Sequence, residues 1–127
     1  MQQIDWKNLG FGYSKADYNI RCWYRNGSWG ELEVSDSEHI NIHIAATSLH
    51  YGQEAFEGLK AFMGKDGKIR VFRMNENAKR MINSSKGIMM AEMPEEKFAE
   101  AIRKVVLLNK HFVPPYESGA SLYIRPL

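Results

Sequence analysis

The sequence predicts an α+β domain of two layers, with hairpin-connected, mainly antiparallel strands packed against two helices. Three observations lead there. β-prone runs in the first seventy or so residues are joined at Asn26-Gly27 and Asp66-Gly67, dipeptides that tight hairpins favour. Two stretches beyond Asn75 carry a helical period instead. The 127 residues, 44% of them hydrophobic, suffice for one core, and no repeat, low-complexity segment or linker divides them.

The first twenty residues have no firm period. Ile20 to Tyr24 is β-prone, Asn26-Gly27 turns the chain, and Trp29 to Val34 returns as the partner strand. From His39 to Ile44 the isoleucines at 40, 42 and 44 alternate with His39, Asn41 and His43, which predicts a half-buried strand. His39 and His43 fall on its polar side. Their spacing suits a metal better on a helix than on a strand, and no acidic third ligand stands nearby, so a solvated or hydrogen-bonded pair is expected. Gly52 and Gly58 bracket one or two turns of helix. Leu59 to Met63 and Lys68 to Arg73 flank Gly64-Lys65-Asp66-Gly67 as a second hairpin.

A helix follows. Asn75 is its expected cap, Glu76 suits its first turn, and Ala78, Met81, Ile82, Ser85 and Met89 form its apolar stripe, with Gly87 near its end. Pro94-Glu95-Glu96 opens a second helix, with acids complementing the macrodipole. Phe98, Ile102, Val105 and Val106 are its buried stripe, and Pro114-Pro115 forbids its continuation. Tyr116 to Ala120 reads as a loop. Ser121 to Leu127 reads as a strand cut off before its end. Leu122 and Ile124 share its core face, Tyr123 and Arg125 the other, and Pro126 keeps Arg125 extended. A phenol beside a guanidinium suits a carboxylate.

Composition narrows the function. Lys and Arg are scattered and the net charge is +2, which argues against nucleic acid as a partner. Cys22 is the single cysteine, so no internal disulfide forms, and a reducing cytoplasm is expected. No apolar run is long enough to span a membrane. The N-terminus, Met1-Gln2-Gln3-Ile4-Asp5-Trp6, lacks the basic start and apolar core of a signal peptide.

Three ordered segments go beyond generic patterning. They are Leu49-His50-Tyr51-Gly52 with Phe56-Glu57-Gly58; Val71-Phe72-Arg73 with Asn77-Ala78-Lys79-Arg80-Met81; and Ser121-Leu122-Tyr123-Ile124-Arg125-Pro126. Over nearly the whole chain they resemble the N-terminal small domain of branched-chain amino acid aminotransferases, fold-type IV enzymes that use pyridoxal 5′-phosphate. Phe11-Gly12, with Asp17 soon after, resembles the longer N-terminal form of that family.

The resemblance implies that residues 1–127 are that small domain, and that the cofactor-anchoring C-terminal domain, with its Schiff-base Lys, lies outside this chain. The chain alone is then expected to be inactive and to hold no covalently bound cofactor. Arg80 matches the family's phosphate contact. Phe11, Tyr51 and Phe56 match its aromatic substrate wall, and Tyr123 and Arg125 its substrate pair. The implied partners are leucine, isoleucine, valine, glutamate and their 2-oxo acids. The implied assembly is a homodimer in which Tyr51 reaches the neighbouring subunit's pocket. His50 and Glu57 are expected to be structural, since transamination leaves electron storage to the cofactor and proton transfer to the Schiff-base Lys. Two other readings are a different fold-type IV enzyme, such as a D-amino-acid aminotransferase or aminodeoxychorismate lyase, and a non-catalytic dimerisation or binding module.

Overall fold

The computed structural model describes residues 4–10 and 12–127. Phe11, expected in the aromatic wall, lies outside the described residues.

The chain opens with β-structure in two small antiparallel pairs. Strand β1 (Asn19–Arg21) pairs with β4 (Glu33–Ser35), and between them β2 (Tyr24–Arg25) pairs with β3 (Ser28–Trp29). Asn26 and Gly27 join β2 to β3 with φ of 52° and 81°, the left-handed pair that a tight two-residue hairpin demands. The predicted return strand is therefore split, with β3 closing the hairpin and β4 pairing back to β1.

The expected strand over 39–44 does not form. Its isoleucines alternate correctly, yet Ile40, Ile42 and Ile44 all lie exposed. A strand needs a neighbour for its backbone groups. Here Arg21 takes that place, donating from Nη2 to the carbonyls of Ser37 and His39 at 2.8 and 2.9 Å. The short helix α1 (Thr47–Tyr51) follows, and Gly52 ends it in the left-handed conformation at φ 63°. The helix expected between Gly52 and Gly58 thus lies before Gly52. The following segment instead runs along the sheet, where the Glu57 N–H donates to the Pro126 carbonyl at 3.0 Å.

The main sheet has the order β6–β5–β7, all antiparallel, with β5 (Leu59–Met63) central between β6 (Ile69–Val71) and β7 (Leu122–Ile124). Gly67, at φ 72°, turns the β5–β6 hairpin. Helix α2 (Met74–Gly87) and helix α3 (Glu95–Leu108) form the second layer. Asn75 lies inside α2 and makes no cap; Arg73 precedes the helix in the left-handed conformation at φ 49°. Met89, expected on the α2 stripe, lies past the helix and exposed, because the helix ends at Gly87. Short 3-10 turns at Lys110–Phe112 and Tyr116–Ser118 lead into β7.

The two layers close on Leu59, Ala61 and Ile124 from the sheet and Ala78, Phe98, Ile102 and Val106 from the helices. Each large side chain among them contributes about 1.5–3 kcal/mol by leaving water. Buried Asn109, just past α3, ties in the N-terminal strands. Its Oδ1 accepts from the Tyr18 N–H at 3.0 Å, and its Nδ2 donates to the Tyr18 and Val105 carbonyls at 2.9 and 2.8 Å.

Candidate functional site

Three elements meet where β5 begins. The segment Phe56-Glu57-Gly58 leads into β5, α2 lies over it, and the end of β7 runs beside it. Leu59 pairs with Ile124 and Lys60 with Tyr123, so the register sets Gly58 against Arg125. On α2, Asn77 and Arg80 are three residues apart and share a face. That face looks at Glu57.

Glu57 is 3% exposed and carries a full carboxylate inward. An unpaired charge there would be strongly disfavoured. Arg80 meets it bidentately, Nε donating to Oε1 and Nη2 to Oε2, each at 2.7 Å. Asn77 Nδ2 donates to Oε2 at 2.8 Å and more weakly to the Gly58 carbonyl at 3.3 Å. Hydrogen bonding from Arg80 holds the Glu57 carboxyl below its ordinary range, against the burial that would raise it, and Asn77 adds to the lowering. Glu57 in turn raises the affinity of Arg80 for its proton. The carboxylate accepts three hydrogen bonds that all favour its ionised form, which suits it to holding Arg80 rather than to general acid–base work. The Arg80 side chain is 68% exposed. Among the described residues its Nη1 has no hydrogen-bond partner, which leaves one edge of the guanidinium fork for an anion from solvent.

A second cation lies on the other side of Gly58. The Arg125 guanidinium sits 4.5 Å from the centre of the Phe56 ring and 5.2 Å from that of Tyr123. Its Nε donates to the Tyr123 hydroxyl at 2.7 Å. Because Tyr123 Oη accepts that bond, its own proton stays available to a ligand, and among the described residues the Nη groups of Arg125 have no hydrogen-bond partner. Gly58 lets the ring come close: a Cβ there would lie 3.0 Å from Tyr123 Oη and 3.2 Å from Cε2. As the period of two predicts, Tyr123 and Arg125 lie exposed on one face while Ile124 is buried and Leu122 half-buried.

The structure thus gathers Phe56, Tyr123 and Arg125, and sets Arg80 beside them through Glu57 and Gly58. It does not bring Tyr51 to this cluster. Tyr51 ends α1, 85% exposed, with His50 as its aromatic neighbour at 6.2 Å. His50 Nε2 lies 2.7 Å from the Ile44 carbonyl and therefore donates to it, tying α1 to the preceding turn. The sequence alone assigns Asn77 no individual role and Glu57 only a structural one. The spacing of Asn77 and Arg80 on one helix face was the available signal; their shared acid, some twenty residues upstream, was not. Among the described residues no group of His, Cys, Asp or Glu could hold a metal, and no helix is long and apolar enough to cross a membrane.

No family model matches the chain. Curated proteins do. The chain is 44% identical over 126 residues to the branched-chain-amino-acid aminotransferase of Haemophilus influenzae, a match covering 99% of this chain and 37% of that protein. It is 43% identical over 126 residues to the Helicobacter pylori enzyme of the same name, again over 99% of this chain and 37% of the relative. With the chloroplastic branched-chain-amino-acid aminotransferase 5 of Arabidopsis thaliana it shares 42% identity over 129 residues, covering 100% of this chain and 31% of that protein. The chain therefore spans about a third of the length of the curated relatives it matches.

Proposed function

We propose, on the premise that this chain is homologous throughout to a third of the branched-chain aminotransferases, that it is the substrate- and phosphate-facing small domain of such an enzyme. The observation that carries the proposal is the pair of cations flanking Gly58, each held by its own anchor and each with donors turned outward. Two separated anion sites match a cofactor phosphate and a substrate carboxylate.

Pyridoxal 5′-phosphate is the cofactor that aminotransferase relatives imply, and the residues here fit its phosphate: an exposed guanidinium fork stands pre-oriented on a buried carboxylate. When bound, the cofactor supplies the electron storage that amino-group exchange needs. This chain supplies binding and orientation. Arg80 holds the phosphate. Arg125 and Tyr123 take a second carboxylate, such as that of glutamate. Phe56, and Phe11 by its sequence match, give the apolar wall for leucine, isoleucine or valine. A wall with one restrained Arg at its rim accepts both substrate classes, because that guanidinium is already partnered by Tyr123 and the two rings when the substrate is apolar. Tyr51, exposed and without a contact to this cluster among the described residues, is assigned to the pocket of a second subunit in a homodimer. A reducing cytoplasm suits the lone thiol of Cys22.

The test is to express the full open reading frame that carries this chain and to follow transfer of the amino group from leucine to 2-oxoglutarate with added pyridoxal 5′-phosphate. Exchange with L-leucine, L-isoleucine and L-valine is expected. Absence of exchange, or preference for D-amino acids, would overturn the proposal.

A further inference from the structure

The Glu57 carboxylate is buried although its partner lies largely in water, an arrangement that surface ion pairs do not need. Both its oxygens are committed, and its backbone N–H is bonded to the Pro126 carbonyl beside Arg125. We infer that Glu57, braced by Asn77, is a positioning residue that fixes the Arg80 guanidinium in the orientation in which its free edge receives the cofactor phosphate. The inference rests on Arg80 facing that phosphate, as proposed above.

The hydrogen-bond inventory makes the role specific. Oε1 accepts from Arg80 Nε, and Oε2 accepts from both Arg80 Nη2 and Asn77 Nδ2. Glutamine has one acceptor and one donor group in the same places. Whichever way its amide turns, an N–H₂ meets an N–H of Arg80, so the fork cannot close. A purely Coulombic view gives the opposite expectation, because removing a negative charge behind Arg80 should favour an anion in front of it. Orientation outweighs that effect here. The Arg80 side chain is exposed and long, so without its anchor it regains rotamer freedom that phosphate binding must then remove.

The experiment uses the full open reading frame as apoprotein, in wild-type, Glu57→Gln, Arg80→Ala and doubly substituted forms, with Asn77→Ala as a milder variant. Each is titrated with pyridoxal phosphate and, in parallel, with pyridoxal, which lacks the phosphate. Binding is read by absorbance and intrinsic fluorescence. Glu57→Gln should weaken pyridoxal phosphate about tenfold and leave pyridoxal unchanged. In the Arg80→Ala background it should add no further loss. Asn77→Ala should show a smaller loss in the same direction, and it carries the test if Glu57→Gln does not fold. Retained or tighter pyridoxal phosphate binding in the folded position-57 variant, or equal losses for both ligands, would overturn the inference. If Asn77→Ala stands in for it, unchanged binding would do the same. Should Arg80→Ala lose the phosphate preference while Glu57→Gln keeps it, the phosphate role of Arg80 stands and the positioning role falls. Should Arg80→Ala keep the preference, the phosphate reading itself fails.

Discussion

At the scale of single residues, the chemistry turns on charges that are held rather than merely present. Glu57 shows it best, because its ionisation is linked to folding. Hydrogen bonding from Arg80 lowers its pKa from an ordinary value near 4.5, so the folded chain releases this proton more readily than the unfolded one. The stability gained is complete above the ordinary glutamate range and is lost as pH falls through the lower folded value. Wild type should therefore exceed Glu57→Gln in stability by a constant margin from neutral pH down to about pH 5, and the margin should shrink below that. Urea denaturation of both proteins at several pH values measures it. A margin that grows toward acid would show that the carboxylate is not held ionised by Arg80.

At the scale of elements, the site exists because β5 and β7 keep one register and α2 lies across their end. Gly58 is where β7 presses closest on that junction, through the Tyr123 ring. A methyl group there would press on Tyr123 at 3.0–3.2 Å, and the half-exposed ring can yield by a few tenths of an ångström. In the full open reading frame, and on the function proposed above, Gly58→Ala should thus leave the thermal midpoint within a few degrees of wild type while raising KM for leucine and glutamate, as Tyr123 and Arg125 shift together; an unchanged KM would mean that the ring position is not critical. Asn109 tests a contact outside the candidate site. Asn109→Ala leaves the Tyr18 backbone without its partners and should cost about 1–3 kcal/mol in denaturant unfolding, with KM unaffected in the folded protein.

The elements also show what a sequence discloses. Both hairpins were legible, because Asn26-Gly27 and Asp66-Gly67 act through local backbone preference. The α3 stripe was legible because Phe98, Ile102 and Val106 lie on one helical face. The 39–44 strand was misread because alternation reports which face a strand would bury, not whether a neighbour exists to pair with it. Gly52 was misread because glycine both ends and begins segments, and only its positive φ shows that here it ends α1. Within the site, the pairing of Tyr123 with Arg125 could be read from a period of two. The Glu57–Arg80 fork could not, since it joins an extended segment to a helix across a fold that no local pattern specifies.

At the scale of the whole molecule, the chain presents two anchored cations on either side of Gly58 and leaves Ile44, Leu49 and Tyr51 exposed on the segment leading into them. Under the function proposed above the two cations divide the labour, Arg80 serving the cofactor phosphate and Arg125 the substrate carboxylate. Single-turnover amino transfer from glutamate and from leucine, in Arg125→Ala and Arg80→Ala forms of the full open reading frame, tests that division most directly. Arg125→Ala should slow the glutamate reaction about tenfold or more beyond any loss with leucine, because only glutamate brings a second carboxylate. Arg80→Ala should slow both reactions together, with recovery at high pyridoxal phosphate. Equal losses for the two amino acids in the Arg125 variant would contradict the division and leave Arg125 as part of the frame.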